Sequence, residues 1–136
     1  MRIPVDAATV EHLFLYGTLM RGEHAHARFG LSTRAAYVGD ACVMGRLHDL
    51  GGYPTLVPGE GRVEGEVHRI VDPGLLAELD LYEACDPANE ADSDYVRRVV
   101  AVPEHGVDAW VYCHRGPPPE GTPLPGPRWR APSREP

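Results

Sequence analysis

Residues 72–83 read DPGLLAELDLYE, and this stretch is the one strong helix signal in the chain. Asp72 is a favourable N-cap and Pro73 a favourable first helical residue, so we expect a helix from Pro73 to about Ala84. One face of this helix carries an apolar stripe of Leu75, Leu76, Leu79 and Tyr82. Because successive helical residues turn by about 100°, Glu83 falls inside the same stripe. The helix therefore points one carboxylate toward the protein interior.

Short strand patterns lie on both sides of this helix. Before it they cover residues 12–16, 41–49, 53–57 and 62–71, with a turn predicted at 58–61. After it, residues 95–102 and 108–113 predict a hairpin around 104–106. A weaker helix is expected at 25–30. Since strands outnumber helices and are mostly consecutive, the pattern predicts an α+β fold with a curled or barrel-like sheet and a few helices packed on it.

The length of 136 residues suits a single domain. We expect a short N-terminal leader over residues 1–11 and the folded domain over 12–114. Residues 115–136 contain too many prolines for a regular helix or a central strand. They are interpreted either as a tail or as an extended strap lying on the domain.

The overall composition narrows the class of protein. Net charge is -7, and all 13 basic residues are arginines without a basic cluster, so nucleic-acid binding is not expected. The three cysteines form no C-x-x-C pair, which favours a reducing compartment. Neither a signal peptide nor a membrane-spanning apolar run is recognisable. The sequence therefore predicts a cytoplasmic protein without a membrane partner.

The position of Glu83 has a chemical consequence. A carboxylate taken out of water must be paired, neutralised or placed in a polar cavity. Burial raises the pKa of such a group toward neutrality, where it can serve as a general base. The competing interpretation is a Glu at a helix end that reaches solvent or pairs with Arg97 or Arg98.

Two loops are candidate binding elements. Tyr16-Gly17-Thr18-Leu19 follows the first strand, where Gly17 permits a sharp turn and close approach of a ligand. Successive N–H groups in such a turn can hold an anion, and Thr18 adds a hydroxyl, although a plain turn has the same pattern. In Gly51-Gly52-Tyr53-Pro54, Tyr53 could line a pocket or pack at its rim.

Other chemistries lack their motifs. No His/Cys set has the spacing of a metal site, no serine sits in G-x-S-x-G, and no phosphate-binding or dinucleotide fingerprint occurs. We therefore expect no metal and no organic cofactor. Cys113-His114 is interpreted as a strand end rather than as a nucleophile with its base.

Five segments occur in a characteristic order: YGTL-x-R-G, GGYP-x-L-V-x-G-x-G-x-V-x-GE, L-x-x-LDLYE, Y-V-R-R-x-V-x-V and W-V-Y. Together, from about Phe14 to Tyr112, they resemble the γ-glutamylcyclotransferase-like family, especially its small bacterial members and the γ-glutamylamine cyclotransferases. The resemblance implies a mixed β-barrel of about five to seven strands with flanking helices.

The resemblance also implies roles for individual residues. Glu83 is expected to be the proton acceptor, and the backbone of residues 16–19 is expected to bind the α-carboxylate and α-amine of a γ-glutamyl group. Tyr53 and Tyr95 match substrate-pocket positions. The segment 84–94 is longer than in the compact amine cyclotransferases, and we expect it to form a loop over the site.

The implied reaction is attack of the substrate's α-amine on its own γ-carbonyl, which gives 5-oxoproline and releases an amine or amino acid. Its substrate is a small molecule. Two alternatives stay open: a small-molecule binding module of the same fold without turnover, and a biosynthetic enzyme that removes or transfers a γ-glutamyl group.

Overall fold

In the computed structural model, residues 10–49, 54–83, 85–86, 88–93, 95–114 and 122–123 are described. Their strands are β1 (His12–Leu15), β2 (Ala35–Asp49), β3 (Pro54–Ile70), β4 (Tyr95–Val102), β5 (Val107–His114) and β6 (Thr122–Pro123). The helices are α1 (His24–Arg28), α2 (Leu31–Arg34) and α3 (Leu75–Tyr82). Short 3-10 turns cover Glu90–Asp92 and Pro103–His105. The strands and few helices confirm the α+β class.

The six strands form one mixed sheet in the order β4-β5-β1-β3-β2-β6. β1 lies near its centre, parallel to β5 and antiparallel to β3. Its apolar residues Leu13, Phe14 and Leu15 are at most 2% exposed, which explains why this short run reads as a fully buried strand. The main core forms around β1 and the apolar side of α3, where Leu75 and Leu79 are fully buried.

The mixed β-barrel implied by the resemblance is not closed among the described residues, whose six strands form one open sheet. The tip of the β4–β5 hairpin instead reaches across to the middle of β2 through side chains. Glu104 Oε1 accepts a hydrogen bond from the Cys42 amide at 3.0 Å, and His105 Nε2 donates to the Asp40 carbonyl at 2.9 Å. The sheet therefore curls back on itself, and side chains rather than a ladder of the described strands bridge the gap.

The long β2–β3 pair differs from the strand pattern expected at 41–49, 53–57 and 62–71. β2 begins at Ala35 rather than residue 41, and β3 runs through Pro58–Gly61 as one strand. Met44 pairs with Arg62 and Arg46 with Val57, so residues 58–61 bulge from the ladder. Pro58 has no N–H for a ladder bond, and the following glycines adopt positive φ, which explains why the sequence resembled a turn.

The register of β2 also shifts between Tyr37 and Gly39. This irregularity breaks the alternation of apolar and polar residues that would have revealed the start of the strand. By contrast, the hairpin of β4 and β5 and the strand at His12 were predicted at nearly their observed positions.

Helix α3 begins at Leu75 rather than at Pro73 and ends at Tyr82, with Glu83 as its C-cap. Asp72 still organises this start, because its Oδ1 accepts a hydrogen bond from the Gly74 amide at 2.9 Å. The carbonyl of Asp72 accepts from the Leu75 amide at 3.1 Å. The residues predicted as the first helical turn therefore form a turn that leads into the helix.

Candidate functional site

One cavity of about 290 Å³ lies where the end of β1, the end of α3 and the β4–β5 hairpin meet. Its wall is formed by residues 14–19, Pro54, Tyr82, Glu83, Tyr95 and Tyr112. The fold thus brings to one place the loop 16–19, Glu83 and Tyr95, which the sequence analysis named as candidate site residues. Tyr53 lies outside the described residues, as do Gly51 and Gly52 of the same predicted loop and the segment 124–136.

The loop after β1 uses its carbonyl groups within the protein. The Gly17 carbonyl accepts from the Met20 amide at 3.0 Å, and the Thr18 carbonyl accepts from the Ala25 amide at 3.1 Å. His26 Nδ1 donates to the Leu19 carbonyl at 2.8 Å. No hydrogen bond joins the amides of residues 17–19 to any other residue that the structure describes. The residues that carry these amides all line the cavity.

Gly17 is required by a close contact. A Cβ at this position would lie 2.8 Å from Cγ of Pro54, and Gly17 itself does not have a positive φ. The glycine therefore permits the loop to approach the start of β3, which is a different reason from the turn expected from the sequence.

The side chains of Tyr16 and Thr18 hold the walls together. The Tyr16 hydroxyl donates to the Tyr112 carbonyl at 2.6 Å and accepts from the Leu56 amide at 3.1 Å. Burial raises its pKa well above the ordinary tyrosine value. The Thr18 and Tyr82 hydroxyls are 2.9 Å apart, which links the loop to α3. The hydroxyls of Tyr16 and Thr18 therefore both form hydrogen bonds within the protein.

Glu83 lies half-buried in the cavity wall, directly after the last turn of α3. Its amide donates to the Leu79 carbonyl at 2.9 Å, which fixes the backbone from which the side chain extends. Burial raises the pKa of its carboxyl from 4.5 to about 7. At neutral pH the group is therefore divided between its acid and base forms.

The two arginines considered from the sequence as partners of Glu83 pair with other carboxylates. Arg97 binds Asp80, through Nε to Oδ1 at 2.7 Å and Nη2 to Oδ2 at 3.1 Å. Arg98 binds Glu90 at 2.8 Å. No salt bridge of Glu83 occurs within the described part of the chain. Within the described residues, neither Arg97 nor Arg98 therefore pairs with the carboxyl of Glu83.

Asp80 anchors α3 to the sheet, a role that the sequence analysis missed. Besides Arg97 it accepts a hydrogen bond from the Tyr112 hydroxyl at 2.7 Å, and Arg97 lies over the Trp110 ring, 4.4 Å from its centroid. The signal was the presence of Asp80 on the flank of the apolar stripe, with a basic residue in the following strand.

Glu66 and His68 of β3 were also missed. They are 3% and 1% exposed, and the sequence analysis did not single out either residue. His68 Nε2 donates to Glu66 Oε1 at 3.0 Å. The Glu-x-His spacing within a strand was the available signal, since it puts two polar side chains on one face.

Neither a metal centre nor a membrane helix is found within the described segments. No group of three or more metal-ligating side chains there could hold an ion. Each helix in these segments is too short or too polar to cross a bilayer.

Comparison with known proteins agrees with the fold and the arrangement of motifs. A family model described as gamma-glutamyl cyclotransferase, AIG2-like, matches residues 13–131. The gamma-glutamylcyclotransferase family protein YtfP of Escherichia coli K12 is 36% identical over 106 residues, which cover 77% of this chain and 83% of that protein.

Two solved structures are similar as well. The solution structure of ytfP from Escherichia coli has a TM-score of 0.64 at 33% identity, covering 87% of this chain and 95% of that one. The crystal structure of an AIG2-like protein from Mus musculus has a TM-score of 0.70 at 28% identity, covering 88% of each chain. On the family match and the YtfP identity together, this chain belongs to the gamma-glutamyl cyclotransferase, AIG2-like family.

Proposed function

We propose that this protein cyclises a γ-glutamyl group to 5-oxoproline and releases an amine or amino acid, with Glu83 as general base and then general acid. The observation that carries the proposal is the environment of Glu83. Its half-buried carboxyl has a pKa raised to about 7 and faces the same cavity as the loop 16–19. A proton acceptor with that pKa is suited to catalysis near neutral pH.

The loop supplies the binding half of the site. Among the described residues of the cavity wall none is an arginine, lysine or histidine. The α-carboxylate of the substrate is therefore assigned to the amides of residues 17–19, which lack partners in the described structure. Backbone N–H groups hold anions effectively when water is excluded.

The aromatic side chains supply the shape of the pocket. Phe14, Tyr82, Tyr95 and Tyr112 contribute to its wall. Such a wall can press the flexible γ-glutamyl chain into the bent conformation in which the α-nitrogen approaches the γ-carbon. Orientation of tethered groups can contribute about 7–11 kcal/mol in the most favourable intramolecular reactions. Neither an enzyme nucleophile nor a metal is needed for this ring closure.

The proton transfers follow from the two forms of Glu83. Its carboxylate takes a proton from the α-ammonium, and the free amine attacks the γ-carbonyl. The bond to the leaving nitrogen breaks as Glu83 returns the proton to it. In total the α-ammonium loses two protons in becoming the lactam N–H, and the leaving amine gains two as it departs as an ammonium ion. The reaction therefore balances without water or a cofactor.

Release of 5-oxoproline from a panel of γ-glutamyl amines and γ-glutamyl dipeptides tests the proposal. We expect turnover with at least one member and a loss of about 10²-fold or more in Glu83→Gln, which keeps the shape but cannot accept a proton. Glu78→Gln is the matched control, because Glu78 lies on the same helix but is exposed and pairs with Arg34. In the wild type, kcat/KM should rise with pH through an apparent pKa of about 7.

Each other outcome has a distinct meaning. A folded, fully active Glu83→Gln protein would contradict the mechanism. Binding of 5-oxoproline without turnover of any panel member would favour the binding-module alternative. Turnover confined to one bulky γ-glutamyl amine would instead favour a biosynthetic deprotection enzyme.

A further inference from the structure

The buried carboxylate of Glu66 is connected to the binding loop. Its Oε1 accepts hydrogen bonds from the Arg21 amide and from His68 Nε2, both at 3.0 Å. Its Oε2 lies 3.4 Å from Arg21 Nε. A carboxylate buried at this depth must be compensated by such bonds, and most of them come from a single loop residue.

The pKa of Glu66 agrees with this geometry. Burial alone would raise the pKa of the carboxyl, but the bonds from His68 and the Arg21 amide, together with the charge of Arg21, outweigh it and lower the pKa below its ordinary value. The carboxyl is therefore ionised at neutral pH, and it holds Arg21 through charge-assisted hydrogen bonds.

Glu66 contacts the residue that follows the loop but is not one of the described residues of the cavity wall. Leu15 of β1 pairs with Glu66 of β3, and Phe14 pairs with Val67. Leu15 lines the cavity, and its register partner Glu66 on the neighbouring strand does not. Glu66 is not among the described residues of the cavity wall, so any influence on a ligand passes through the loop.

Aromatic rings reinforce this attachment. The Arg21 guanidinium lies over the Tyr37 ring, 3.4 Å from its centroid. The rings of Tyr37 and His26 lie 5.5 and 5.6 Å from that of His68. His26 also donates to the Leu19 carbonyl. Arg21 and Leu19 are therefore both held by a cluster that is centred on Glu66 and His68.

We propose that Glu66 is a positioning residue, which holds the loop through Arg21 so that the amides of residues 17–19 are set to receive the substrate carboxylate. This inference rests on the proposed function, because it assigns those amides to a γ-glutamyl ligand. Glu66 is not among the described residues of the cavity wall, so we expect its loss to affect binding more than the chemical step.

The experiment compares Glu66→Gln with Glu64→Gln. Glu64 is two residues earlier on the same strand and pairs with Arg62 instead of Arg21. We expect Glu66→Gln to raise KM and the Kd for 5-oxoproline about tenfold, the effect of losing a charged hydrogen bond, while kcat changes by less than about threefold. Glu64→Gln should leave all three unchanged. Hydrogen exchange of the Arg21 amide should accelerate only in Glu66→Gln.

Two more variants test the inference if Glu66→Gln does not fold. Glu66→Asp keeps the charge but retracts it from the Arg21 amide, and Arg21→Ala removes the guanidinium while keeping the amide. Both should raise the Kd for 5-oxoproline, Arg21→Ala by the smaller factor. The inference would be overturned if the folded Glu66 variants had unchanged KM and Kd. It would also be overturned if Glu64→Gln raised KM and Kd as much as Glu66→Gln does.

Failure of the proposed function has a different signature. In that case the wild type releases no 5-oxoproline. If only the positioning inference fails, the wild type is active and the Glu66 variants have the wild-type KM and Kd for 5-oxoproline. If turnover is absent, titration with 5-oxoproline still decides the role of Glu66. Weakened binding in Glu66→Gln but not in Glu64→Gln supports it, and no such difference rejects it.

Discussion

At the scale of single residues, the burial of Glu83 has opposite effects on proton transfer and on the stability of the folded state. The burial that raises its pKa to about 7 suits proton transfer, but it also makes the ionised form unfavourable in the folded state. Catalytic groups often reduce stability in this way. The free energy of unfolding should therefore depend on pH through this residue.

The direction follows from the two pKa values. Below the ordinary value of 4.5 the carboxyl is protonated in both states, and above about 7 it must ionise in the folded state. Stability should thus fall as pH rises across this interval, by up to roughly 3 kcal/mol at about 1.4 kcal/mol per pKa unit. Urea unfolding should find Glu83→Gln more stable than the wild type at pH 8 and similar at pH 5.

Glu78→Gln is the control for this measurement, because it removes an exposed carboxylate from the same helix. It should keep the wild-type dependence on pH. A Glu83→Gln protein that loses several kcal/mol at pH 8 would instead show that Glu83 belongs to a structural ion pair.

Gly17 is the second residue with a specific expectation. In Gly17→Ala the added methyl group would collide with the Pro54 ring, since its carbon would lie 2.8 Å from Cγ of that ring. We expect a loss of about 1–3 kcal/mol in stability and weaker binding of 5-oxoproline, because the loop must move. Thr18→Ala removes only the bond to Tyr82, so its effect on binding should be smaller. Calorimetric titration and thermal melts measure both; unchanged affinity in Gly17→Ala would mean that the loop does not contact the ligand.

At the scale of elements, α3 is positioned by one buried ion pair. The side chains of Asp80 and Arg97 are 12% and 14% exposed, and Tyr112 adds a bond to the same carboxylate. This attachment determines where the end of α3 lies relative to the hairpin. Glu83, which follows that end, depends on it for its place in the cavity.

Asp80→Ala should leave Arg97 partly buried without its partner and cost about 3–5 kcal/mol. The matched change Glu78→Ala on the same helix removes an exposed pair with Arg34 and should cost about 0–1 kcal/mol. Denaturant unfolding of both variants compares the two losses directly. Similar small losses would contradict the anchoring role of Asp80.

At the scale of the whole molecule, side chains hold the curled sheet where no ladder of the described strands joins its edges. The hairpin tip contacts β2 through Glu104 and His105. Gly39 makes this approach possible, since a Cβ there would lie 2.5 Å from Cε1 of His105. The close approach of His105 to β2 therefore requires a residue without a side chain at position 39.

A double-mutant cycle tests this contact. Gly39→Ala should displace the His105 ring, break its bond to Asp40 and destabilise the protein by about 1–3 kcal/mol. In a His105→Ala background the same change should cost little, because the space is then free. Additive losses in urea unfolding would mean that the hairpin tip and β2 do not touch in solution.

The local features of the fold could be predicted from the sequence. The apolar run at His12, the hairpin of β4 and β5, the weaker helix near Ala25 and the inward side of α3 all follow from periodicity within a few residues. The family motifs also include most residues of the cavity wall, since residues 16–19, Glu83 and Tyr95 belong to the five segments that occur in the family's order. Their catalytic and binding roles are still predictions that await the assays above.

Only the tertiary structure decided the rest, because it depends on contacts between residues far apart in the chain. Glu66 and His68 are polar residues of a strand, yet they are buried in a cluster with Arg21, Tyr37 and His26 from other elements. The sequence analysis considered Arg97 as a partner of Glu83, whereas the packing of α3 pairs it with Asp80. Short-range periodicity records which face of an element is apolar, whereas the partner across a sheet and the pKa of a buried acid are set by the three-dimensional surroundings.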